Sequence, residues 1–291
     1  MNFEQPDLNS ENIPAEGAYE KARSEADILL EKYDFVEDRD ITEINPEKSK
    51  DDVPVFVSPG WGVTPESQEE SLKTIAGEGR KVLTTSFSRE KKIEQSDSDI
   101  PTAELQKALS IIEVINKKGI DKVDAVGHSE GGLNLVIAAN LFPEKFRNIV
   151  LISPAGMIEN DSSLSLIKRF IVDEGLQELK DNKNSDMGSF FKYMKEVFKY
   201  SIKGPNLSYE EISACAVVNI FQMTKELKEK GVGVGFVCGV NDKVFPIEEV
   251  IKNVGKENTD YFVSTKGDHG SFIFNKKHAL LAENLLDNMK K

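Results

Sequence analysis

Two apolar periodicities alternate along the chain. Short, nearly unbroken apolar runs rich in β-branched residues occur at Val53–Val57, Arg80–Thr85, Val123–Val126, Asn148–Ile152, Gly231–Val237 and Tyr261–Thr265, and such runs read as buried strands. Helical spacing fills the intervals. Tyr19, Ala22, Ala26, Leu29, Leu30 and Tyr33 form one stripe within 15–33, and Leu105, Leu109, Ile112 and Ile115 form another within 102–118, closed by Gly119 as C-cap. Thr64 followed by Pro65 predicts a helix start that Gly77 and Gly79 end, Ser208 with Glu211 predicts a capping box for a helix to about Lys230, and 279–289 predicts the last helix. Residues 34–44 alternate loosely around Phe35, Ile41 and Ile44 and read as an edge strand, while 1–14 are polar with two prolines. Strand and helix in regular succession predict an α/β fold, a mostly parallel sheet with helices on both faces.

The transition at Lys122–Gly132 is the sharpest on the chain. An apolar strand stops at Gly127, and a helix with Leu133, Ile137 and Leu141 on one face begins just past Gly131, so Ser129 sits on a tight turn between them. Two glycines flank a position where the chain reverses so abruptly that a Cβ would meet neighbouring backbone. The helix that follows adds free N–H groups and a positive dipole end beside the hydroxyl.

Through Gly127-His128-Ser129-Glu130-Gly131-Gly132 the sequence resembles the α/β-hydrolase fold enzymes, and further motifs extend the resemblance over about residues 53–290. It implies a serine nucleophile at Ser129. In the family the loop after the third strand carries an oxyanion motif, and Pro59-Gly60-Trp61-Gly62 looks like that loop with Pro in place of His. The resemblance therefore implies an oxyanion hole made of the backbone N–H groups of Trp61 and Glu130. An insertion after the family's sixth strand forms a cap. Here residues 157–207 hold two helical patterns with no strand between them, and Phe190, Phe191, Met194, Val197 and Phe198 make an apolar stripe opposed by Lys192, Lys195 and Lys199. The face containing Phe190, Phe191, Met194 and Phe198 is the expected substrate pocket, although the same spacing also suits a helix packed on the core. The expected domains are an acidic N-terminal extension at 1–52, a hydrolase core at 53–156 and 208–291, and a helical cap at 157–207.

A serine hydroxyl needs an imidazole to take its proton and a carboxylate to orient that imidazole. Of the three histidines, His128 adjoins the nucleophile and cannot turn back onto it, and His278 opens the last helix as a surface residue. His269 lies in Lys266-Gly-Asp-His-Gly270 just after the last strand, where the family places its base. Cys238-Gly-Val-Asn-Asp-Lys-Val-Phe-Pro246 resembles the family's strand-seven loop and nominates Asp242 as the acid; Asp268 adjoins His269, so their side chains diverge, and Glu159 and Asp161 are the remaining alternatives. The carboxylate of Glu130 is expected to do no more than solvate or cap its helix.

Composition narrows the partners. The net charge is −13, and nucleic-acid or anionic-membrane binding calls for the opposite sign. Residues 1–52 carry 16 acidic and 6 basic side chains, so the rest of the chain is nearly neutral. The start has no apolar signal segment and no run is long enough to span a bilayer, which makes the cytoplasm the expected location and excludes membrane insertion. Two distant cysteines and three histidines form no metal-ligand cluster. The glycines of Gly231-Val-Gly-Val-Gly235 imitate a dinucleotide fingerprint, but no helix opens after them, so no cofactor is expected. The expectation is a serine hydrolase acting on a carboxylic ester of a small or medium apolar acyl group, with thioester, amide, C–C or acyl-transfer chemistry on the same residues, or a non-catalytic ligand-binding relative, as alternatives.

Overall fold

In the computed structural model, which describes residues 18–158, 161–174, 187–274 and 276–289, the apolar runs become a seven-stranded sheet. The strands are β1 (Ile41–Ile44), β2 (Asp51–Ser58), β3 (Arg80–Thr85), β4 (Val123–His128), β5 (Phe146–Ile152), β6 (Gly233–Gly239) and β7 (Tyr261–Thr265), in the order β1-β3-β2-β4-β5-β6-β7. All pairings are parallel except that of β1, which runs antiparallel on β3 with Ile41 opposite Thr85. The continuous apolar character of the strands follows from burial on both faces. Val55 and Val57 turn to one side with Val82, Val126 and Val150, while Phe56 turns to the other with Leu83, Ala125 and Ile149.

One face is covered by α1 (Ala18–Lys32), α3 (Thr102–Lys117), α4 (Glu130–Leu141) and α8 (Ile220–Glu229), and the other by α2 (Glu69–Gly77) and the last helix, α11 (Lys276–Asn288), which follows the short helices α9 (Ile247–Val250) and α10 (Ser271–Phe274). Ala22 and Ala26 of α1, with Phe35 and Val36 after it, are buried in the first of these layers, which attaches the N-terminal segment to the body. Two helix starts differ from the sequence reading. Thr64 and Ser67 close a local turn by exchanging hydrogen bonds, so α2 begins only at Glu69. The stretch expected as one helix from Ser208 is two, α7 (Pro205–Val217) and α8, because Pro205 supplies the real start after Gly204 and Asn219 caps the second helix by accepting the Phe221 N–H. Among the described residues, no helix is long and apolar enough to cross a membrane.

At the N-terminal ends of the central strands Arg80 is fully buried. Its guanidinium donates to the Val53 carbonyl and to Asp124 at 2.6 Å and reaches Glu283 of α11 at 3.4 Å. Arg147 joins Asp124 to Asp51 beside it. The opposite, C-terminal ends of the strands are where the chain changes direction: from β2 it steps outward to β3, then returns to place β4 on β2's other side. The loops after β2 and β4 therefore diverge and leave a crevice at the switch point. Over that crevice lies the segment after β5, comprising α5 (Ser163–Lys168), a π-helical turn at Arg169–Glu174, and α6 (Met187–Lys203).

Candidate active site

Ser129 stands at the crevice between β4 and α4 with φ 55° and ψ −126°, a backbone conformation rarely adopted by a residue with a side chain. Its surroundings hold it there. The Ser129 N–H donates to the Ile152 carbonyl, and its own carbonyl accepts from Gly132 and Ala155. The flanking glycines are required by close packing: a Cβ on Gly127 would lie 2.7 Å from Gly132 Cα, and one on Gly131 would lie 2.3 Å from the Ser58 carbonyl oxygen.

Ser129 Oγ is 2.9 Å from His269 Nε2, and His269 Nδ1 is 3.1 Å from Asp242 Oδ2. The second Asp242 oxygen accepts the backbone N–H groups of Val244 and Phe245, both at 2.8 Å, which fixes the carboxylate's orientation. With Asp242 accepting from Nδ1–H, Nε2 is the acceptor for the serine proton. Both groups are buried. Burial works against charge on each, yet each lifts the other's ionised form, so Asp242 is held below the usual carboxylate range and His269 above the usual imidazole value. Of the other carboxylates, Asp161 is taken by an ion pair to Arg169, Asp268 accepts from the Ser271 hydroxyl, and Glu159 lies outside the described residues.

The remaining histidines are both interior. His128 Nε2–H donates to the His269 carbonyl at 2.8 Å, and burial drops its pKa to about 3, so it is a neutral prop for the loop of the candidate base. His278, expected at the surface, is only 3% exposed, since the turn at Gly267 closes over its ring.

The loop after β2 passes so close to the serine that a Cβ on Gly60 would lie 3.2 Å from Ser129 Cβ. The next residue, Trp61, and the first residue of α4, Glu130, are therefore beside Ser129, and the Glu130 N–H has no intrahelical acceptor. Both side chains are anchored in one buried ionic cluster. Trp61 Nε1 donates to Glu211 at 2.9 Å, Arg89 pairs with Glu211 at 2.5 Å, Tyr200 donates to it at 3.1 Å, and Lys107 bridges Glu211 at 2.8 Å and Glu130 at 2.6 Å. Burial alone would neutralise these groups. Lys107 and Arg89 hold Glu211 below its ordinary range against burial, the carboxylates Glu130 and Glu211 raise Lys107, and burial together with Glu130 lifts Glu104 well above its ordinary range. Glu130 is thus a buried partner of Lys107 and not a solvated cap. Ligand atoms of Glu104, Glu130 and Cys215 come within 4.8 Å of one another, but the ammonium of Lys107 already meets Glu130, so the cation there is the chain's own.

Ser129 opens into a cavity of about 240 Å³ whose walls include Val63, Leu166, Phe170, Ile212, Val244 and Phe245. The expected wall differs. Met194 packs against Val63, Val197 and Ile273 but is not itself a lining residue, and Phe198 is 67% exposed, because the stripe of α6 winds from the core contact at Val197 out to solvent one residue later. The side chains of Phe190 and Phe191 lie outside the described residues. The insertion contributes instead through α5 and its π-helical turn, which carry Leu166, Ile167, Phe170 and Ile171. The sequence reading also passed over Glu174, Lys107 and Arg89, which stand in no motif, and gave Glu211 only a capping role.

A family model described as alpha/beta hydrolase fold matches residues 85–180. Solved structures similar to this chain include a carboxylesterase of the Thaumarchaeon Nitrososphaera gargenis (16% identity, TM-score 0.60, covering 86% of this chain and 94% of that one). A bromoperoxidase from Bacillus anthracis (14%, TM-score 0.61, 86% and 94%) and an esterase from Exiguobacterium antarcticum (15%, TM-score 0.60, 86% and 95%) are similar to the same extent. No curated protein matches the chain by sequence.

Proposed function

We propose that this chain, which has an α/β-hydrolase fold, carries out serine hydrolysis of a carboxylic ester with a small or medium apolar acyl group. The observation that carries this reading is the continuous path from Asp242 through His269 to Ser129 Oγ, at 3.1 and 2.9 Å, opening onto an apolar cavity. The names of the carboxylesterase and esterase relatives agree with it.

In this mechanism His269 Nε2 takes the hydroxyl proton as Ser129 Oγ bonds to the ester carbonyl carbon. The carbonyl π electrons move onto oxygen, and the resulting oxyanion is held by the N–H groups of Glu130 and Trp61. The tetrahedral species collapses, the C–O bond to the alcohol breaks, and the imidazolium protonates the leaving alkoxide. Water then repeats the sequence on the acyl-enzyme, giving up its proton to His269 and releasing the carboxylic acid with Ser129 restored. Asp242 keeps the tautomer correct throughout and stays ionised.

The test is labelling with a fluorophosphonate together with turnover of a series of p-nitrophenyl esters, on the native chain and on Ser129→Ala. Stoichiometric labelling of the native chain and loss of both labelling and at least about a thousandfold of kcat in Ser129→Ala is the expected result. Ester turnover that survives the substitution, or a native chain that neither labels nor turns over any ester, overturns the proposal.

A further inference from the structure

Glu174 ends the π-helical turn of the insertion and is 6% exposed. One carboxylate oxygen accepts the backbone N–H of His269 at 2.6 Å, and the other accepts the backbone N–H of Lys243 at 3.1 Å, next to Asp242. A single side chain thus spans the loop after β7 and the loop after β6. Five residues earlier Arg169 donates to the Val244 carbonyl at 2.8 Å, fastening the same turn to the same loop. Between the two anchors Phe170 lines the cavity and meets the His269 ring edge-on with centroids 6.4 Å apart.

We infer that Glu174 is a positioning residue for His269: it fixes the base's loop against the acid's loop and places a second negative charge beside the imidazole. This rests on the assignment of His269 as the base. The geometry suits the task because both donors are backbone N–H groups, which an ionised carboxylate can satisfy together and an amide cannot, since its –NH₂ end would face one of them. The groups facing Glu174 are Asp242 and Asp268, whose charges oppose its ionisation, His269, which favours it, and the Lys243 N–H, which stabilises it. The nearby His128 is neutral. Burial is the largest influence and lifts Glu174 to about 7, so its charge and that of His269 are linked near neutrality. The imidazolium in turn gains from Asp242 first and from Glu174 after it.

Glu174→Gln keeps the shape and removes the charge. The His269 imidazole pKa, read by NMR titration in the Ser129→Ala background with and without Glu174→Gln, should fall by about 0.5–1 unit. Where ester turnover is present, kcat should fall about tenfold or more with KM little changed, and the acid limb of kcat/KM should move to lower pH. Glu174→Asp, which keeps the charge but is one methylene too short to span both loops, should retain the pKa and lose kcat; it carries the test if the glutamine variant fails to fold. The NMR titration needs no substrate, so an inactive native chain would sink the hydrolase reading without touching this result. An unmoved His269 pKa in a folded Glu174→Gln protein overturns the inference, as does a Glu174→Asp protein with native kcat.

Discussion

Lys107 is the keystone of the ionic cluster behind the candidate nucleophile, and replacing it by methionine tests that role. Methionine preserves most of the stem's volume, so the change is close to the pure loss of an ammonium that is 2.6 Å from Glu130 and 2.8 Å from Glu211. Glu211 retains Arg89 at 2.5 Å and the Trp61 and Tyr200 donors, whereas among the described residues no second cation forms an ion pair with Glu130, which is 1% exposed. Removing one partner of a buried ion pair costs about 3–5 kcal/mol, because the other is left buried and charged. At roughly 2 °C per kcal/mol for a chain of this size, the melting temperature should fall by about 6–10 °C. The deficit should also depend on pH in a defined sense. Burial already holds the folded-state pKa of Glu130 above its ordinary range, and Lys107 opposes that rise, so removing the ammonium raises it further and the folded protein binds the extra proton. The variant's stability relative to the native chain therefore recovers as pH falls through that raised pKa. Denaturant melts at pH 8 and pH 5.5 measure both terms. A deficit under about 1 kcal/mol at pH 8, or one of equal size at both pH values, would refute the premise that an ionised Glu130 depends on Lys107.

Two further outcomes concern activity. His269 must be neutral to act as base and Asp242 holds its pKa above 6.5, so kcat/KM should be full at alkaline pH and fall reversibly as pH drops through a midpoint above 6.5; a flat profile from pH 5 to 8 removes His269 from the reaction. Phe170→Ala should reduce kcat/KM for medium-chain esters about tenfold relative to acetyl esters, since each buried methylene contributes roughly 0.8 kcal/mol, whereas Phe198→Ala should leave the chain-length profile unchanged; the opposite pattern places the acyl group on α6.

Much of this arrangement was readable in the residues themselves. The strands announced themselves because both their faces are buried, and Ser129 did so because a strand, two glycines and a helix leave a single way to turn. The resemblance to the hydrolase family nominated Asp242 after β6 and His269 after β7, and the fold brings both side chains beside Ser129. What the sequence could not show is where a polar residue on a helix points. Glu211 and Ser208 have the spacing of a capping box, yet their side chains turn to Arg89 inside α7. Glu130 and Lys107 look like surface charges until the topology brings α3 beside α4. Phe198 has the right period for the stripe, but one residue separates a buried from an exposed position where a helix crosses a rim. Glu174 has no local signal at all, because its partners are backbone groups 69 and 95 residues away.

Arg80 has a consequence for the order in which the molecule is made. Its partners arrive in stages: Val53 is already synthesised, Asp124 follows 44 residues later, and Glu283 only after 203. A nascent chain that has completed β2, β3 and β4 can form the elbow and pair Arg80 with Asp124, but the layer of α11 that seals the guanidinium from water is still inside the ribosome or unbuilt. The candidate base is equally late, 140 residues beyond the serine it serves. The same final stretch of synthesis that covers the buried arginine also delivers His269 to Ser129. A growing or C-terminally truncated chain therefore holds the Ser129 elbow without the candidate base, and the candidate site is assembled only as the sheet's far end is closed.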